Sequence, residues 1–198
     1  MKPLILAAML GATLSAGACV APVGPVEVTR FHVPATERLG RGTIAVRPAP
    51  GEDGSSIEFR SFAAAVSREL VRLGYVEVGP DSEAGQIAYV DVDRGVFRPG
   101  SRRGPVSVGV GGSTGSYGSG VGVGIGLDLS GPPPEQVETQ LSVMIRDAQT
   151  GQSLWEGRSS FAVKSSSPLA GTQLGAPKMA EALFRGFPGE SGETILVR

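Results

Sequence analysis

Residues 139–163 read TQLSVMIRDAQTGQSLWEGRSSFAV, two alternating runs on either side of a turn. In the first run Leu141, Val143 and Ile145 recur at every second position, which is the period of a half-buried strand. Asp147-Ala148-Gln149-Thr150-Gly151 breaks the alternation with residue types that favour turns. The pattern resumes at Leu154, and Trp155, Gly157, Phe161 and Val163 then share one face. Together the runs predict an antiparallel hairpin with one buried side. That side needs a cover, and the remaining chain offers two helices for it.

The clearer helix follows Ser55. Ser55-Ser56-Ile57-Glu58 fits a capping box, with Ser at the cap and Glu three residues later. Phe59, Phe62, Ala63, Val66, Leu70 and Leu73 follow at spacings of three and four, while Arg60, Ser67, Arg68 and Arg72 fall largely on the other side. Gly74 suits a left-handed stop. A second, shorter helix is expected over 177–185, closed by Gly186 and stopped by Pro188. Strands are expected at 26–33, 42–47, 75–78 and 86–97, with 194–197 as a last edge strand. Strict strand–helix alternation is missing, which argues against a doubly wound parallel sheet. The expected fold is a single α+β domain over 26–198: an antiparallel-rich mixed β-sheet with two helices packed on one face.

Composition narrows the function classes. The 198 residues carry 18 Lys+Arg against 19 Asp+Glu, a net charge of −1, which excludes nucleic-acid binding through bulk charge. One Cys and one His exclude an intrachain disulfide and a Cys/His zinc cluster. At 40% hydrophobic residues the chain can bury a core. No cofactor is expected.

The N-terminus reads as an address. Lys2 precedes the apolar run Leu4–Leu14, which suits a signal peptide over 1–18 and is too short for a stable membrane span of about 20 residues. The small residues Ser15-Ala16-Gly17-Ala18 then lead into Cys19, the only cysteine. Ala16-Gly17-Ala18 would satisfy an ordinary signal peptidase and yield a soluble periplasmic protein. The same residues before Cys19 resemble a bacterial lipobox, with Ala16 where Leu is commoner. There the thiol carries a diacylglycerol and the freed amine is acylated, and several acyl chains such as palmitate anchor stably where one is marginal. Val20, not Asp, follows the cysteine, which by the sorting rule of diderm bacteria resembles outer-membrane cargo. Residues 19–25, with Pro22 and Pro25, would form a lipidated extended tether.

Between 107 and 127 nine of 21 residues are glycine. Val108 and Val110 alternate with Gly109 and Gly111, and Val121, Val123, Ile125 and Leu127 alternate with Gly120, Gly122, Gly124 and Gly126. So regular a pattern predicts a β-hairpin and not a Gly/Ser linker. Its apolar face could cover the core, its bare face could pair between copies, or the whole could insert into a membrane as part of an oligomer.

Other motifs fail on context. Gly111-Gly112-Ser113-Thr114-Gly115 matches a nucleophile elbow, but a strand and not a helix follows, and the only histidine, His32, lies upstream. Gly122–Gly126 has no helix after it to face a phosphate. Asp91 and Asp93 share a strand face but lack further ligands. Arg94, Arg98, Arg102 and Arg103 cluster beside Phe97 and could meet phosphates or acidic glycan, although a solvated loop explains them as well. His32 reads as a packed or exposed strand residue and Trp155 as a core residue.

The order of features resembles a known group. A lipobox, a helix ending in Leu73-Gly74-Tyr75, glycine-rich strands, Asp147-x-x-Thr150-Gly151-x-x-Leu154-Trp155-x-Gly157 and a final helix running into Phe187-Pro188 are similar to the bacterial lipoproteins grouped as domain of unknown function 4136. The resemblance spans about residues 26–190 and implies a small α+β envelope domain without assigned catalytic residues. The resulting expectation is a non-enzymatic, lipid-anchored structural or accessory binding module on the periplasmic side of the outer membrane. Cys19 is its lipidation site, with no catalytic or metal residues. Its partners are the membrane through the lipid, and another envelope protein or a second copy. The alternative is a pore or secretion accessory assembling through 107–127.

Overall fold

The computed structural model describes residues 24–99, 106–115, 118–127 and 134–198, the strands at 106–115 and 118–127 by their backbone pairing. The signal peptide, Cys19 and the tether up to Val23 lie outside the described residues, as do Arg102 and Arg103.

The 139–163 hairpin forms the middle of the sheet. Its strands, β7 (Gln136–Asp147) and β8 (Ser153–Lys164), run longer than their apolar cores and pair antiparallel, with Val143 opposite Gly157 and Ile145 opposite Trp155. Leu141, Val143, Ile145, Trp155, Phe161 and Val163 are buried, as the alternation predicts. Outside them lie β1 (Val26–His32), β2 (Thr43–Pro48), β3 (Val76–Val78), β4 (Gln86–Phe97) and β9 (Thr194–Val197), in the order β3-β2-β4-β7-β8-β1-β9. Only β2 pairs in parallel, with β3 and β4, and every other contact of this sheet is antiparallel. Thr194–Val197 is the expected edge strand, laid against β1.

Helices α1 (Ile57–Arg72) and α2 (Thr172–Phe184) pack against each other over one sheet face, and their buried side chains join a single core. The structure moves the cap of α1 by one residue. Ser56, not Ser55, accepts the Phe59 N–H at 2.9 Å, while the Asp53 carboxylate accepts from the Ser55 N–H and hydroxyl. Glu58 therefore sits one position too early to close a capping box, and it pairs with Arg94 instead. The other end of the helix is as expected. Gly74 has φ +107°, the Tyr75 N–H donates to the Leu70 carbonyl and the Gly74 N–H to that of Val71, a full Schellman closure.

Helix α2 begins at Thr172, five residues before the expected start, and holds Pro177 inside it. The proline removes one backbone bond, and the turn ahead of it buries Gly175 and Ala176. Gly175 permits the approach, because a Cβ there would stand 2.9 Å from the Leu169 carbonyl. Arg30, buried on β1, finishes the helix. Its guanidinium donates to the Leu183 carbonyl at 3.0 Å and the Ala182 carbonyl at 3.2 Å, placing a positive charge at the negative helix end.

The glycine-rich segment is a hairpin, as expected, of β5 (Val106–Gly115) and β6 (Gly118–Leu127). It forms its own two-stranded sheet, separate from the seven-stranded one. The register sets Val108 against Ile125 and Val110 against Val123, with Gly109 opposite Gly124 and Gly111 opposite Gly122. At these positions branched residues pair with branched and glycine with glycine, while nearer the tip Gly112 stands opposite Val121. The expectation that the Val/Ile face covers the core concerns side chains outside the described set.

Trp155 is 1% exposed, and its ring stacks on Phe184 at 5.3 Å and leans on Phe187 at 5.2 Å. It occupies the space over Gly157: a Cβ there would overlap the indole and stand 2.9 Å from Leu183. Gly157→Ala is expected to cost about 1–3 kcal/mol through overpacking. A denaturant melt showing no loss would contradict this reading of the contact.

Candidate functional site

The sheet face away from the helices carries the residues of opposite parity. Register brings Tyr89 of β4 beside Met144 of β7, Asp91 beside Ser142, and Glu156 and Arg158 of β8 beside Met144 and Ser142. Strand β2 ends at Pro48, and the Ala49-Pro50 segment that follows walls this face on one side. The result is an open cleft of about 420 Å³, floored by Tyr89, Asp91, Met144, Arg146, Glu156 and Arg158. The Arg146 guanidinium lies 5.7 Å from the Tyr89 ring centre, and its Nε donates to the Met144 sulfur at 3.1 Å. Arg158 pairs with Glu156 at 2.5 Å while most of its side chain stays exposed. Such a floor offers an aromatic face, a thioether and charges of both signs. It suits binding of an extended polar segment or mixed-charge ligand more than proton transfer.

Asp91 and Asp93 share this face, as the spacing requires, but they stand opposite Ser142 and Gln140 and belong to different hollows. Among the described residues no group of three or more His, Cys, Asp or Glu could hold a metal ion. The arginine cluster is divided. Arg94 pairs with Glu58 at 2.8 Å and donates to Thr172 and to the Ala170 carbonyl, tying both helix starts to β4. Arg98 pairs with Glu135 at 2.5 Å. His32 lies between the carbonyls of Val33 and Gly189. The Trp155 indole N–H donates to the Pro188 carbonyl at 3.0 Å, a structural role. Ser113 lies within β5 and Gly122–Gly126 within β6, so both glycine motifs sit in strands; the strands reach Gly115 and start again at Gly118, inside the turn expected over Thr114–Ser119.

The Asp-x-x-Thr-Gly turn is a polar knot. Asp147 is 3% exposed, and its Oδ1 accepts from the Gln149 and Thr150 N–H groups and the Thr150 hydroxyl at 2.7–3.0 Å. Its Oδ2 pairs with Arg38. The hydrogen bonds from Thr150, with those from Arg38, hold its pKa down at about 2. Gly151 takes φ +72° to close the turn. Opposite Asp147 in register stands Gln86, whose amide donates to the Arg38 and Arg41 carbonyls and accepts from the Tyr75 hydroxyl at 3.1 Å. Sequence reasoning missed Gln86, Arg38 and Arg30. For Gln86 and Arg30 a signal existed: each is a polar residue on the inward parity of a strand.

Two outcomes follow from this geometry. The depressed carboxyl of Asp147 stabilises the fold fully above its ordinary value of 3.8, and that contribution is lost as pH falls through about 2. Asp147→Asn is therefore expected to lower the melting temperature at neutral pH, with the deficit shrinking below pH 4. A deficit unchanged at low pH would show that the charge is not what matters. Alanine at Asp91 or Arg158, by contrast, should shift stability by less than about 0.5 kcal/mol, measured by thermal melts.

No family model matches the chain. It is similar to an uncharacterized protein of Zymomonas mobilis, 28% identical across 88% of this chain and 80% of that protein. Among solved structures it is similar to a PDZ domain protein from Parabacteroides distasonis, with a TM-score of 0.48 and 12% identity over 88% of this chain and 39% of that one. It is likewise similar to a PelC dodecamer from Paraburkholderia phytofirmans, with a TM-score of 0.46 and 12% identity over 84% of this chain and 99% of that one.

Proposed function

We propose that this chain is a lipid-anchored envelope protein, held by Cys19 on the periplasmic side of the outer membrane. There it would serve as a non-enzymatic binding or structural module of the kind grouped as domain of unknown function 4136. The observation that carries the reading is the place of the single cysteine. It follows an eleven-residue apolar run and four small residues, and stands just ahead of a proline-bearing stretch that leads into the first strand. A lone thiol kept at that position is explained by acylation, and several acyl chains give the lasting attachment that one cannot.

The make-up of the cleft supports a binding role: an aromatic face, a thioether and charges of both signs line an open floor. The cleft would then be the surface on which a partner or ligand is held.

One observation favours a second reading, assembly through the glycine-rich hairpin. Strands β5 and β6 pair with each other alone, so among the described residues their outer edges carry no neighbouring strand. Cross-strand pairing between copies would use those edges.

The two readings separate experimentally. Cys19→Ser should lose palmitate labelling and move from the membrane fraction to the soluble periplasmic fraction. A variant that still floats with membranes overturns the anchor. Sizing of the detergent-extracted wild type as a clean monomer overturns the assembly.

A further inference from the structure

The strand pairings place several features at one end of the sheet. Phe97 lies opposite Gln136, Gln136 opposite Lys164, and Glu27 opposite Ser160, so β4 ends, β7 begins, β8 ends and β1 begins on the same side. Both helices start there too, because Arg94 near the end of β4 reaches Glu58 of α1 and Thr172 of α2. The opposite end carries the Asp147 turn.

This end exposes several large apolar side chains. Ile57, the first residue of α1, is 76% exposed, Leu174 in the first turn of α2 is 54% exposed, and Val96 of β4 is 66% exposed, with Phe97 beside it. Val96 has the parity of the helix-covered face, yet β4 runs past the helix starts and leaves it bare. Ile57 and Leu174 flank a groove of about 580 Å³ that also includes Glu58, Ser61 and Arg94. At this end Glu58 and Glu135 are paired with Arg94 and Arg98, while Glu27, Glu52 and Asp53 have no ion pair among the described residues.

The route of the chain says what covers the patch. Gly24 passes the Ala162 carbonyl at this same end. Four residues lie between it and Cys19, and the five steps between them, fully extended, span at most about 18 Å. The central strands, twelve residues each, are about 40 Å long. An acylated Cys19 would therefore keep this end within reach of the bilayer and the Asp147 end away from it. We infer that Ile57, Val96 and Leu174 form a docking surface for the lipid interface itself. This rests on the anchoring proposed above. The protein then stands end-on, with the strands rising from the membrane and the open-face cleft turned sideways into the periplasm.

Acylation consumes the Cys19 thiol, so a cysteine introduced elsewhere is the only free one in the processed protein. Ile57→Cys, Val96→Cys and Leu174→Cys, with Val76→Cys at the far end as control, can each be labelled with bimane. Each is then reconstituted into phosphatidylethanolamine–phosphatidylglycerol vesicles containing nitroxide-labelled lipid. The expected result is flotation of all four, with a blue shift and loss of emission at 57, 96 and 174 and neither at 76. Flotation with all four positions behaving like 76 overturns the docking surface and leaves the anchor standing. A blue shift without quenching means that another part of the chain or a second copy covers the patch, and also overturns it. Failure of the processed wild type to float, with no acyl mass on its N-terminal peptide, overturns the anchor and the surface together.

Discussion

Trp155 lies across the bare Cα of Gly157, and the helix-covered side of the molecule is arranged around that contact. The two residues are neighbours on one face of β8, where a side chain at 157 would take the space the indole fills. With the ring laid down, α2 can approach until Leu183 and Phe184 meet it, and Phe187 closes the far side. The indole N–H, which would be costly to bury alone, reaches the Pro188 carbonyl and so also fixes the path of the chain leaving α2. Packing α2 there positions α1, and the two helices together decide which sheet face is dry.

Polar ties then hold what hydrophobic packing leaves loose. The loop between β1 and β2 has little apolar content of its own, with Leu39 as its buried residue. It is held from β4 by Gln86 and from β7 by Asp147 through Arg38, two residues that face each other across the same strand pair. Arg30 performs the corresponding task at the end of α2. Arg30 satisfies the carbonyls of the buried residues Ala182 and Leu183, and Gln86 and Asp147 spend their polar atoms on loop backbone, which is why polar residues can stand at inward positions of otherwise apolar strands. No described side-chain polar atom is left buried without a partner.

Period alone made much of this legible. The 139–163 alternation and the α1 stripe ended by Gly74 follow from spacings of two and of three to four. What period could not show was set by tertiary contact. Pro177 reads as a helix start because local rules place proline there, yet the helix extends backwards through it and buries Gly175 and Ala176. Ser55 and Ser56 are equivalent as capping residues in sequence, and Asp53 decides between them by taking Ser55. The cleft was not legible at all, because Tyr89, Arg146 and Arg158 come together only through strand register. Asp91 was visible as one of a pair, but its neighbours across the sheet were not.

The same one-sidedness that makes the fold simple leaves its outer face available. A sheet covered on one side by two helices must put seven strands' worth of outward side chains in water unless something else binds them. Many of those residues are Thr, Ser, Glu and Arg, with Phe31, Val76 and Leu196 exposed among them. In the middle lies the cleft, where an aromatic ring, a methionine and two guanidinium groups sit together beyond the end of β2. The apolar patch lies on the other side, where β4 outruns the helices. Neither contributes to the core, and both arise because neighbouring elements stop short: β2 at Pro48, the helices at Ile57 and Thr172.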